Sequence, residues 1–337
     1  MKVWLPYVVG GSGTDTFTQT FAEFIQRAGH TAVVQAFPHA MQYVPDALRF
    51  VSAPTSTDIV LTNSWNGFSF KRKGMPMLTV EHLFVHDSEY TAFRSNAQAA
   101  FHRTLVHSYE KRSFEAADRV VAVSRSTRRA VMKSFPGVDP TVILNGVDTD
   151  FFTPPSRPRE RSEGGPFNLL FVGNLTARKG ADLLEPVMRQ LGPNYLLSYP
   201  SGIRMRGNLD IKNGRPLGSL DRRGVLEAYR EADAFLFPTR LEGLPLAVLE
   251  AMSTGLPIVG SDRTSMPEVV EDGVTGILCP LEPTELAAAV ETLALDAALR
   301  EEMSKAARQA AVEAFSMTLT VERYVALFSD LIDSGPR

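Results

Sequence analysis

Residues 237–252 read FPTRLEGLPLAVLEAM, a strand end followed by a short turn and the start of a helix. The apolar residues 234–237 predict a buried strand, and Pro245 is typical of the first turn of a helix. Where a strand runs into a helix N-terminus, backbone N–H groups and the helix dipole favour an anion. Glu242 and Glu250 flank this helix start, and ionised carboxylates accept hydrogen bonds from hydroxyl groups. The pattern therefore indicates a ligand with both phosphates and hydroxyls, such as a sugar nucleotide.

Length and composition set the broad class of the protein. The chain has 337 residues, more than one typical core accommodates, so two domains are expected. Its 44% hydrophobic and 22% charged residues are ordinary for a soluble globular protein, and its net charge of −3 argues against a nucleic-acid-binding protein. Cys279 is the single cysteine, which excludes an intrachain disulfide and a cysteine-based metal cluster.

The start of the chain predicts a folded strand rather than a targeting segment. Residues 1–11 contain Pro6, reach glycine after a short apolar run and lack a small-residue cleavage site. No apolar stretch approaches the ~18 residues of a membrane span, so we expect a cytoplasmic protein. Basic residues concentrate between Lys71 and Lys133. We interpret them by default as solvated faces, with peripheral contact between the N-terminal domain and the anionic inner membrane surface as the alternative.

Short apolar runs alternate with helical patterns along the chain, which predicts β-α units around parallel sheets. The breaker-rich segment 153–167 is interpreted as a linker. We therefore predict an α/β fold with two Rossmann-like, doubly wound parallel-sheet domains, residues 1–153 and 167–316, facing across a cleft. The ligand is expected near the carboxyl ends of the strands.

The predicted elements follow this alternation. The predicted strands are 3–9, 31–36, 58–62, 77–81, 119–124, 141–144, 168–172, 195–199, 234–237, 257–261 and 276–279. The predicted helices include 15–28, 90–117, 181–190, 224–231, 245–253, 282–315 and 318–332.

Two features of the first domain lie at strand ends. The turn GGSGTD at residues 10–15 contains glycines that allow a phosphate or sugar to approach the backbone. Thr16 stands where the dinucleotide fingerprint requires its last glycine, and a tight turn without a ligand explains the sequence equally well. His82 follows the predicted strand 77–81, a position that favours contact with substrate, although a lone histidine is more often structural.

The equivalent turn of the second domain reads FVGNLTARKG at residues 171–180. Arg178 and Lys179 stand just before the next helix, where they can neutralise a diphosphate. A solvated basic loop is the alternative interpretation.

Two further spacings are interpreted as structural. Ser265 and Glu268 have the spacing of a capping box at a third helix N-terminus, which would enclose a nucleotide if it faced the same cleft. Asp148 and Asp150 have the spacing of a metal-binding Asp-x-Asp, but no neighbouring histidine or carboxylate completes a ligand set. We therefore predict no metal site.

Together these motifs resemble the family 4 glycosyltransferases, retaining enzymes with the GT-B fold of two Rossmann-like domains. The resemblance covers nearly the whole chain and includes the Glu242-x7-Glu250 pair. It rests on the order and separation of the segments ADRVVAVS (117–124), VILNGVDTDFF (142–152), LLFVGNLTARKGADLL (169–184), LPIVGSDRTSMPEVVEDGVTGIL (256–278) and FSMTLTVERY (315–324). The resemblance implies that residues 317–337 form a terminal helix that crosses back toward the N-terminal domain.

The resemblance also implies roles for individual residues. Glu250 would hold the ribose hydroxyls of the nucleotide, Glu242 would contact the donor sugar, and Lys179 would contact the diphosphate. The implied catalytic residues are Glu242, Lys179 and His82. The implied donor-binding residues are Gly13, Asn174, Arg178, Lys179, Glu242, Gly243, Leu244, Leu246 and Glu250. The implied acceptor contacts are Asp15 and His82.

Two positions depart from the family pattern. Asn174 stands where the family commonly has an arginine, and Arg178 is near enough in sequence to replace it. Pro245 stands where the family has the second glycine of Glu-Gly-Phe-Gly, and it removes one backbone donor. We expect phosphate binding with fewer or rearranged contacts.

The implied reaction moves a sugar from a UDP- or GDP-sugar to a hydroxyl of a sugar, lipid-linked or small-molecule acceptor, with retention, in cell-envelope polysaccharide or glycolipid synthesis. The C-terminal domain would bind the nucleotide sugar, with segment 198–204 near the base. The N-terminal domain would bind the acceptor through loops 63–73 and 82–94. The nucleotide sugar is a substrate, so no cofactor and no metal are expected.

Three alternatives stay open at this point. The first is an NAD(P)-dependent Rossmann oxidoreductase, because paired Rossmann units and a glycine-rich turn are common to both classes. The second is another GT-B enzyme, such as a nucleotide-sugar epimerase or a phosphorylase. The third is a sugar-nucleotide-binding protein without activity, suggested by Asn174 and Pro245.

Overall fold

The computed structural model describes residues 1–11, 13–86, 93–156, 164–200 and 211–335. The chain forms two compact units: unit 1 is Met1–Gly146 with Met317–Arg337, and unit 2 is Val147–Ser316. The segments discussed above that fall partly outside the described residues are 10–15, 82–94, 90–117, 153–167, 198–204 and 317–337.

Unit 1 is built on a six-stranded parallel sheet. Its strands are β1 (Lys2–Val8), β2 (Thr31–Phe37), β3 (Ile59–Asn63), β4 (Met77–Glu81), β5 (Arg119–Ala122) and β6 (Thr141–Val142). They pair in the order β2-β1-β3-β4-β5-β6. Its helices are α1 (Gly13–Arg27), α2 (Asn96–Phe101), α3 (His107–Ala116), α4 (Arg125–Ser134) and α11 (Met317–Ser334). Trp4, Val60 and Phe70 are fully buried together in one core cluster.

Helix α11 packs into the core of unit 1. The buried ring of Tyr324 meets Phe21 of α1 edge-on, with centroids 4.9 Å apart. The Thr320 hydroxyl donates to the Leu144 carbonyl at 3.1 Å. Since this amphipathic helix packs on α1 and on the segment that follows β6, the last helix completes the first unit.

Unit 2 is built on a second six-stranded parallel sheet. Its strands are β7 (Phe167–Leu170), β8 (Tyr195–Tyr199), β9 (Gly214–Pro216), β10 (Ala234–Phe237), β11 (Ile258–Ser261) and β12 (Gly276–Cys279), in the order β12-β11-β10-β7-β8-β9. Its helices are α5 (Ala181–Leu191), α6 (Arg222–Glu231), α7 (Leu246–Ser253), α8 (Met266–Val269), α9 (Pro283–Leu295) and α10 (Ala297–Ala314). The stacked rings of Phe171, Phe235 and Phe237 form a fully buried part of its core. The predicted α/β class with two doubly wound parallel sheets is confirmed.

Two predicted helices are wrong in detail. The predicted helix 282–315 is two helices, α9 and α10, because the Asp296 side chain caps a new start by accepting a hydrogen bond from the Leu299 N–H at 2.9 Å. In the described part of segment 90–117, a π-helical stretch, His102–Val106, separates α2 from α3. Strand β9 was not predicted.

Gly180, which precedes α5, occupies a backbone conformation that only glycine fits. Its φ is 72°, and a Cβ there would meet the Pro238 carbonyl oxygen at 1.8 Å. The turn after β7 and the turn after β10 therefore touch through bare backbone. The close approach depends on the missing side chain.

We expect Gly180→Ala to destabilise unit 2 strongly. The positive φ alone costs about 1 kcal/mol, and the backbone overlap adds about 1–3 kcal/mol. Gly273→Ala is the matched control, since Gly273 has φ +75° but open space around a Cβ. Chemical denaturation measures both variants, and equal losses of unfolding free energy would show that the contact with Pro238 does not matter.

Candidate functional site

The candidate site of unit 2 lies where its strand order reverses. Strand β7 lies between β8 and β10, so the chain leaves β7 to one side and later returns on the other. In open parallel sheets, ligands bind outside the carboxyl ends of the strands at such a point. The turn after β7 carries Arg178 and Lys179, and the turn after β10 carries Glu242. The Arg240 N–H donates to the Arg178 carbonyl at 2.8 Å, which joins the two turns.

Glu242 meets both cations of the neighbouring turn. Its Oε1 lies 2.9 Å from Arg178 Nη1 and 3.4 Å from Lys179 Nζ. Burial by itself raises the pKa of Glu242, but the charges and hydrogen bonds of Arg178 and Lys179 outweigh burial and lower it. Glu242 is therefore ionised at neutral pH. These three residues, named the Glu242 cluster, carry one net positive charge, which suits a phosphate.

Backbone contacts fix the two cations. Arg178 Nη1 also donates to the Leu241 carbonyl at 2.6 Å. The stem of Lys179 crosses Gly173, where a Cβ would lie 2.9 Å from Lys179 Cδ. The Lys179 ammonium also lies 5.2 Å from the centre of the Phe237 ring. Both side chains are only 16–18% exposed, so little conformational freedom remains to be lost when they meet a ligand.

The loop after β11 makes two hydrogen bonds with the backbone of Glu242. The Glu242 N–H donates to Thr264 Oγ1 at 3.3 Å, and the Ser265 hydroxyl donates to the Glu242 carbonyl at 3.2 Å. The predicted capping box of Ser265 and Glu268 is wrong, because the Ser265 side chain makes no cap hydrogen bond to α8. Its buried hydroxyl is used on Glu242 instead. Thr264 has a φ of 50°, an uncommon conformation for a non-glycine residue that is held at this contact.

Glu250 lies in a different environment on α7. Its Oε2 accepts a hydrogen bond from the Tyr229 hydroxyl at 3.0 Å. Burial raises the pKa of Glu250 to about 7, against the opposing effects of Tyr229, Arg222 and Lys179. Lys179 affects both carboxylates, so Glu242 and Glu250 belong to one electrostatic environment, but their pKa values are shifted in opposite directions. Tyr229 was not predicted from the sequence.

The structure places Asn174 and Pro245, the two residues that depart from the family pattern. Asn174 is exposed, and Arg178 rather than Asn174 accompanies Lys179 at Glu242. Pro245 is the N-cap of α7 with φ −76° and ψ 112°, so the helix begins at Leu246, one position after the predicted start. Its carbonyl accepts from the Val248 N–H at 3.1 Å. The remaining predicted donor residues of this turn lie immediately before α7 or in its first position: Gly243, Leu244 and Leu246.

In unit 1, Asp15 binds the glycine-rich turn itself. Its carboxylate accepts hydrogen bonds from the Gly10 N–H at 3.1 Å and the Gly11 N–H at 2.7 Å. Gly13 is exposed and begins α1, two residues before the predicted helix start. This is the geometry of a tight turn closed by its own carboxylate. The acceptor role of Asp15 and the phosphate role of Gly13 stay predictions.

His82 lines a cavity at the reversal point of the first sheet. Strand β1 lies between β2 and β3, and the cavity is lined by the ends of β1 and β3, by Phe17 and by His82. The His82 ring meets Phe17 edge-on, with centroids 5.0 Å apart. Burial lowers the pKa of His82 to about 4, so the ring is neutral at physiological pH. A neutral imidazole can accept or donate one hydrogen bond to a substrate hydroxyl, the chemistry that its predicted role requires.

Two buried glutamates, Glu81 and Glu110, lie near His82 and were not predicted from the sequence. Glu81 is 1% exposed and accepts from the Leu83 N–H at 3.0 Å, which fixes the backbone on both sides of His82. Glu110 of α3 is fully buried, and its Oε2 lies 2.9 Å from His86 Nε2. Burial, together with the charge of Glu110, raises the pKa of Glu81 to about 8. A sequence pattern could not reveal this group, since its members are far apart along the chain.

We expect the buried Glu81 carboxyl to make the stability of the protein fall as the pH rises to about 8, most clearly above about 6.5, since below that value His82, whose pKa is lowered to about 4, contributes in the opposite direction. The unfolded chain releases the Glu81 proton near the ordinary value of 4.5, whereas the folded chain keeps it up to about 8. Raising the pH between these values therefore favours unfolding, and Glu250 contributes in the same direction up to about 7. Glu81→Gln should make the dependence shallower.

Urea unfolding at several pH values measures this effect. Glu115→Gln is the control, because Glu115 is a 64% exposed carboxylate in unit 1. An unchanged slope in Glu81→Gln would contradict the prediction.

The structure also bears on metals and membranes. Asp148, rejected as a metal ligand, accepts from Arg222 Nη2 at 2.8 Å and from the Phe151 N–H at 3.1 Å. Within the described residues, no group of three or more histidine, cysteine, aspartate or glutamate side chains could hold a metal ion.

Over the same part of the chain, no helix is both long and apolar enough to cross a membrane.

Comparison with known families identifies the class of protein. Residues 36–151 match the family described as Glycosyltransferase Family 4, and residues 166–296 match Glycosyl transferases group 1. Both matches are to glycosyltransferase families, and together they cover most of the chain. The chain therefore belongs to the family 4 (group 1) glycosyltransferases, which argues against the oxidoreductase alternative.

Curated relatives agree with this placement. Alpha-maltose-1-phosphate synthase from Mycolicibacterium smegmatis is 28% identical over 250 residues, which cover 65% of each chain. D-inositol 3-phosphate glycosyltransferase from Geodermatophilus obscurus is 31% identical over 248 residues, which cover 65% of this chain and 54% of that protein. The chain thus spans between about half and two thirds of the length of these relatives.

Solved structures share the fold over nearly the whole chain. Sucrose-phosphate synthase from Thermosynechococcus elongatus superposes with a TM-score of 0.83 at 18% identity, covering 99% of this chain and 100% of that one. Anabaena HepE, in complex with UDP-glucose, superposes with a TM-score of 0.75 at 17% identity, covering 98% and 100%. These similarities confirm the predicted GT-B fold class.

Proposed function

We propose that this chain is a glycosyltransferase that moves a sugar from a nucleotide-sugar donor to an acceptor hydroxyl, with retention of the anomeric configuration. The Glu242 cluster is the observation that carries the proposal, since it sets two cations and a carboxylate at the reversal point of a parallel sheet. A ligand with a diphosphate and sugar hydroxyls fits this set of groups. Family membership supports the reaction class.

In the proposed reaction, Lys179 and Arg178 stabilise the negative charge that grows on the departing diphosphate. Glu242 holds both cations in place, and its remaining lone pairs accept hydrogen bonds from hydroxyls of the donor sugar. Because backbone contacts fix both cations, little reorganisation is needed when the charge develops.

Retention follows from displacement on one face of the sugar. The bond between the anomeric carbon and the phosphate oxygen breaks, and the acceptor oxygen bonds to the same face of that carbon. The acceptor proton passes to the departing phosphate oxygen. The protein supplies position and charge stabilisation. With Arg178 and Lys179 as the cations, the proposal requires no metal and no cofactor.

A first set of binding and transfer assays would identify the donor and the acceptor. UDP-glucose is the first donor to test, because the Anabaena neighbour was solved with it. Thermal shifts with UDP, GDP and their sugars identify the base, since a ligand that binds the folded state raises its melting temperature. Acceptors from cell-envelope polysaccharide and glycolipid are tried next. Proton NMR of the product gives the anomeric configuration, and an inverted product would contradict retention.

Lys179→Ala should lower turnover at saturating donor by about 10²–10³, the loss that follows removal of one preorganised charge stabiliser. Lys305→Ala is the matched control in unit 2, where the Lys305 side chain is 74% exposed and pairs with Glu301. All assays include EDTA. Normal turnover in Lys179→Ala would refute the assignment, and activity that needs added Mg²⁺ or Mn²⁺ would refute metal independence.

Glu250 should make nucleotide affinity depend on pH. The proposed ribose contact is stronger with ionised Glu250, whose pKa is about 7, so UDP should bind more tightly as the pH rises through 7. Tyr229→Phe removes a donor that favours the ionised form, so the midpoint should move to higher pH.

Calorimetry with UDP between pH 6 and 8.5 measures both effects. Glu250→Gln shows the titration of the nucleotide phosphate alone, because glutamine does not ionise. If Glu250→Gln and the unmodified protein gave parallel pH profiles with equal affinity, the ribose role would be wrong.

A further inference from the structure

Hydroxyl groups from β11 and the loop after it hold the turn that follows β10. Strands β10 and β11 pair in parallel, so the residues that follow them lie side by side. The Ser261 hydroxyl donates to the Thr239 carbonyl at 2.6 Å. The hydroxyls of Thr264 and Ser265 bond to the backbone of Glu242. The turn that carries Glu242 is therefore fixed from the side of β11 as well as from the side of β7.

Thr264 and Ser265 bind the two backbone groups that flank the Glu242 Cα. The Glu242 N–H donates to Thr264 Oγ1 at 3.3 Å, and the Glu242 carbonyl accepts from the buried Ser265 hydroxyl at 3.2 Å. A residue has only two soft backbone dihedral angles, one on each side of its Cα. Because one hydrogen bond precedes Cα and the other follows it, the pair restricts both angles and so the direction of the Glu242 side chain.

The direction of this side chain matters because its two oxygens have different surroundings. Oε1 of Glu242 lies 2.9 Å from Arg178 Nη1 and 3.4 Å from Lys179 Nζ, and it accepts from the Thr239 hydroxyl at 3.4 Å. Among the described residues, every hydrogen bond and ion pair of this carboxylate is made by Oε1. Oε2 is therefore the oxygen that can accept from a ligand hydroxyl.

Thr264 makes its contact from a strained backbone conformation. In the described part of the chain, three non-glycine residues have a positive φ: Ser56 at 57°, Asn213 at 62° and Thr264 at 50°. Asparagine tolerates this region, whereas a β-branched residue such as threonine is an outlier there. Such conformations persist where the surrounding structure determines them, and they cluster at functional sites. Glycine would relieve the strain but could not bind the Glu242 N–H, so substitution can separate the strain from the hydroxyl.

We propose that Thr264 is a positioning residue for sugar transfer, whose hydroxyl sets the Glu242 backbone so that Oε2 meets a hydroxyl of the donor sugar. A displacement of about 1 Å at a substrate-positioning group can lower a rate by about 10²-fold. The proposal rests on the proposed function and deepens it. Lys179, Arg178 and Glu250 hold the nucleotide in that function, so loss of the Thr264 hydroxyl should impair transfer and leave the affinity for UDP nearly unchanged.

Three substitutions of Thr264 test the proposal. Thr264→Ser keeps the hydroxyl, Thr264→Ala removes it, and Thr264→Gly removes it and also relieves the strain. Turnover with UDP-glucose, or with the nucleotide sugar found active in the assays above, should fall about five-fold in both Thr264→Ala and Thr264→Gly, which is the effect of one hydrogen bond. Thr264→Ser should retain most of the turnover. Thr264→Gly should nevertheless unfold at a higher urea concentration than Thr264→Ala.

Two substitutions away from the site are the controls. Ser56→Gly places a glycine at an exposed position of unit 1 with positive φ, and Thr292→Ala removes an exposed hydroxyl of unit 2 that donates to the Ala288 carbonyl. Neither should change turnover. Hydrogen exchange of the Glu242 amide, followed by mass spectrometry, is a readout that needs no ligand, and it should be faster in Thr264→Ala than in the unmodified protein.

The outcomes separate the positioning role from the proposed function. An unmodified protein that neither transfers nor hydrolyses any nucleotide sugar tried would contradict the proposed function, and the positioning role with it. If the protein is active, unchanged turnover in Thr264→Ala or unchanged exchange of the Glu242 amide would contradict the positioning role alone. Turnover that follows stability, and is higher in Thr264→Gly than in Thr264→Ala, would show that Thr264 serves only the fold.

Discussion

The ion cluster of Glu242 is the interaction on which the candidate site of unit 2 depends. A carboxylate buried among apolar strands would take up a proton unless opposite charges compensated the loss of water. Arg178 and Lys179 provide that compensation, and they come from the turn on the far side of the sheet reversal. Because the same turns are joined by the Arg178 carbonyl and by the close approach of Gly180 to Pro238, charge and backbone constrain one geometry.

Two glutamates eight positions apart acquire different chemistry from their surroundings. Glu242 has two cations within reach and is a permanent anion at neutral pH. Glu250 has a phenol as its hydrogen-bond partner, and its pKa lies at about 7. A permanent anion can hold two cations in place, as the proposed diphosphate site requires, whereas a carboxyl group near its pKa would make the proposed ribose contact depend on pH. The spacing in the sequence gives no sign of this difference.

The sequence was sufficient for features that local patterns determine. Continuous apolar runs such as 234–237 predicted buried parallel strands, and glycines and charges at strand ends predicted the turns that carry Lys179 and Glu242. The helix break at Asp296 was missed because the helical pattern continues on both sides of one capping residue. Ser265 was assigned to a local cap, although its hydroxyl is used on a backbone group 23 residues away. Tyr229, Glu81 and Glu110 could not be predicted, since their roles arise only when distant segments pack together.

The turns that follow the strands β1 and β7 carry side chains of opposite charge. In unit 1, Asp15 supplies a negative charge that already binds the amides of Gly10 and Gly11. A phosphate there would compete with a carboxylate held by the turn itself and would be repelled by it. In unit 2, the corresponding turn supplies Arg178 and Lys179, which share Glu242 as their carboxylate partner among the described residues and so leave one positive charge in excess. Two turns at equivalent places in their sheets therefore differ in the sign of the charge that they carry, and the proposed diphosphate site in unit 2 agrees with this difference.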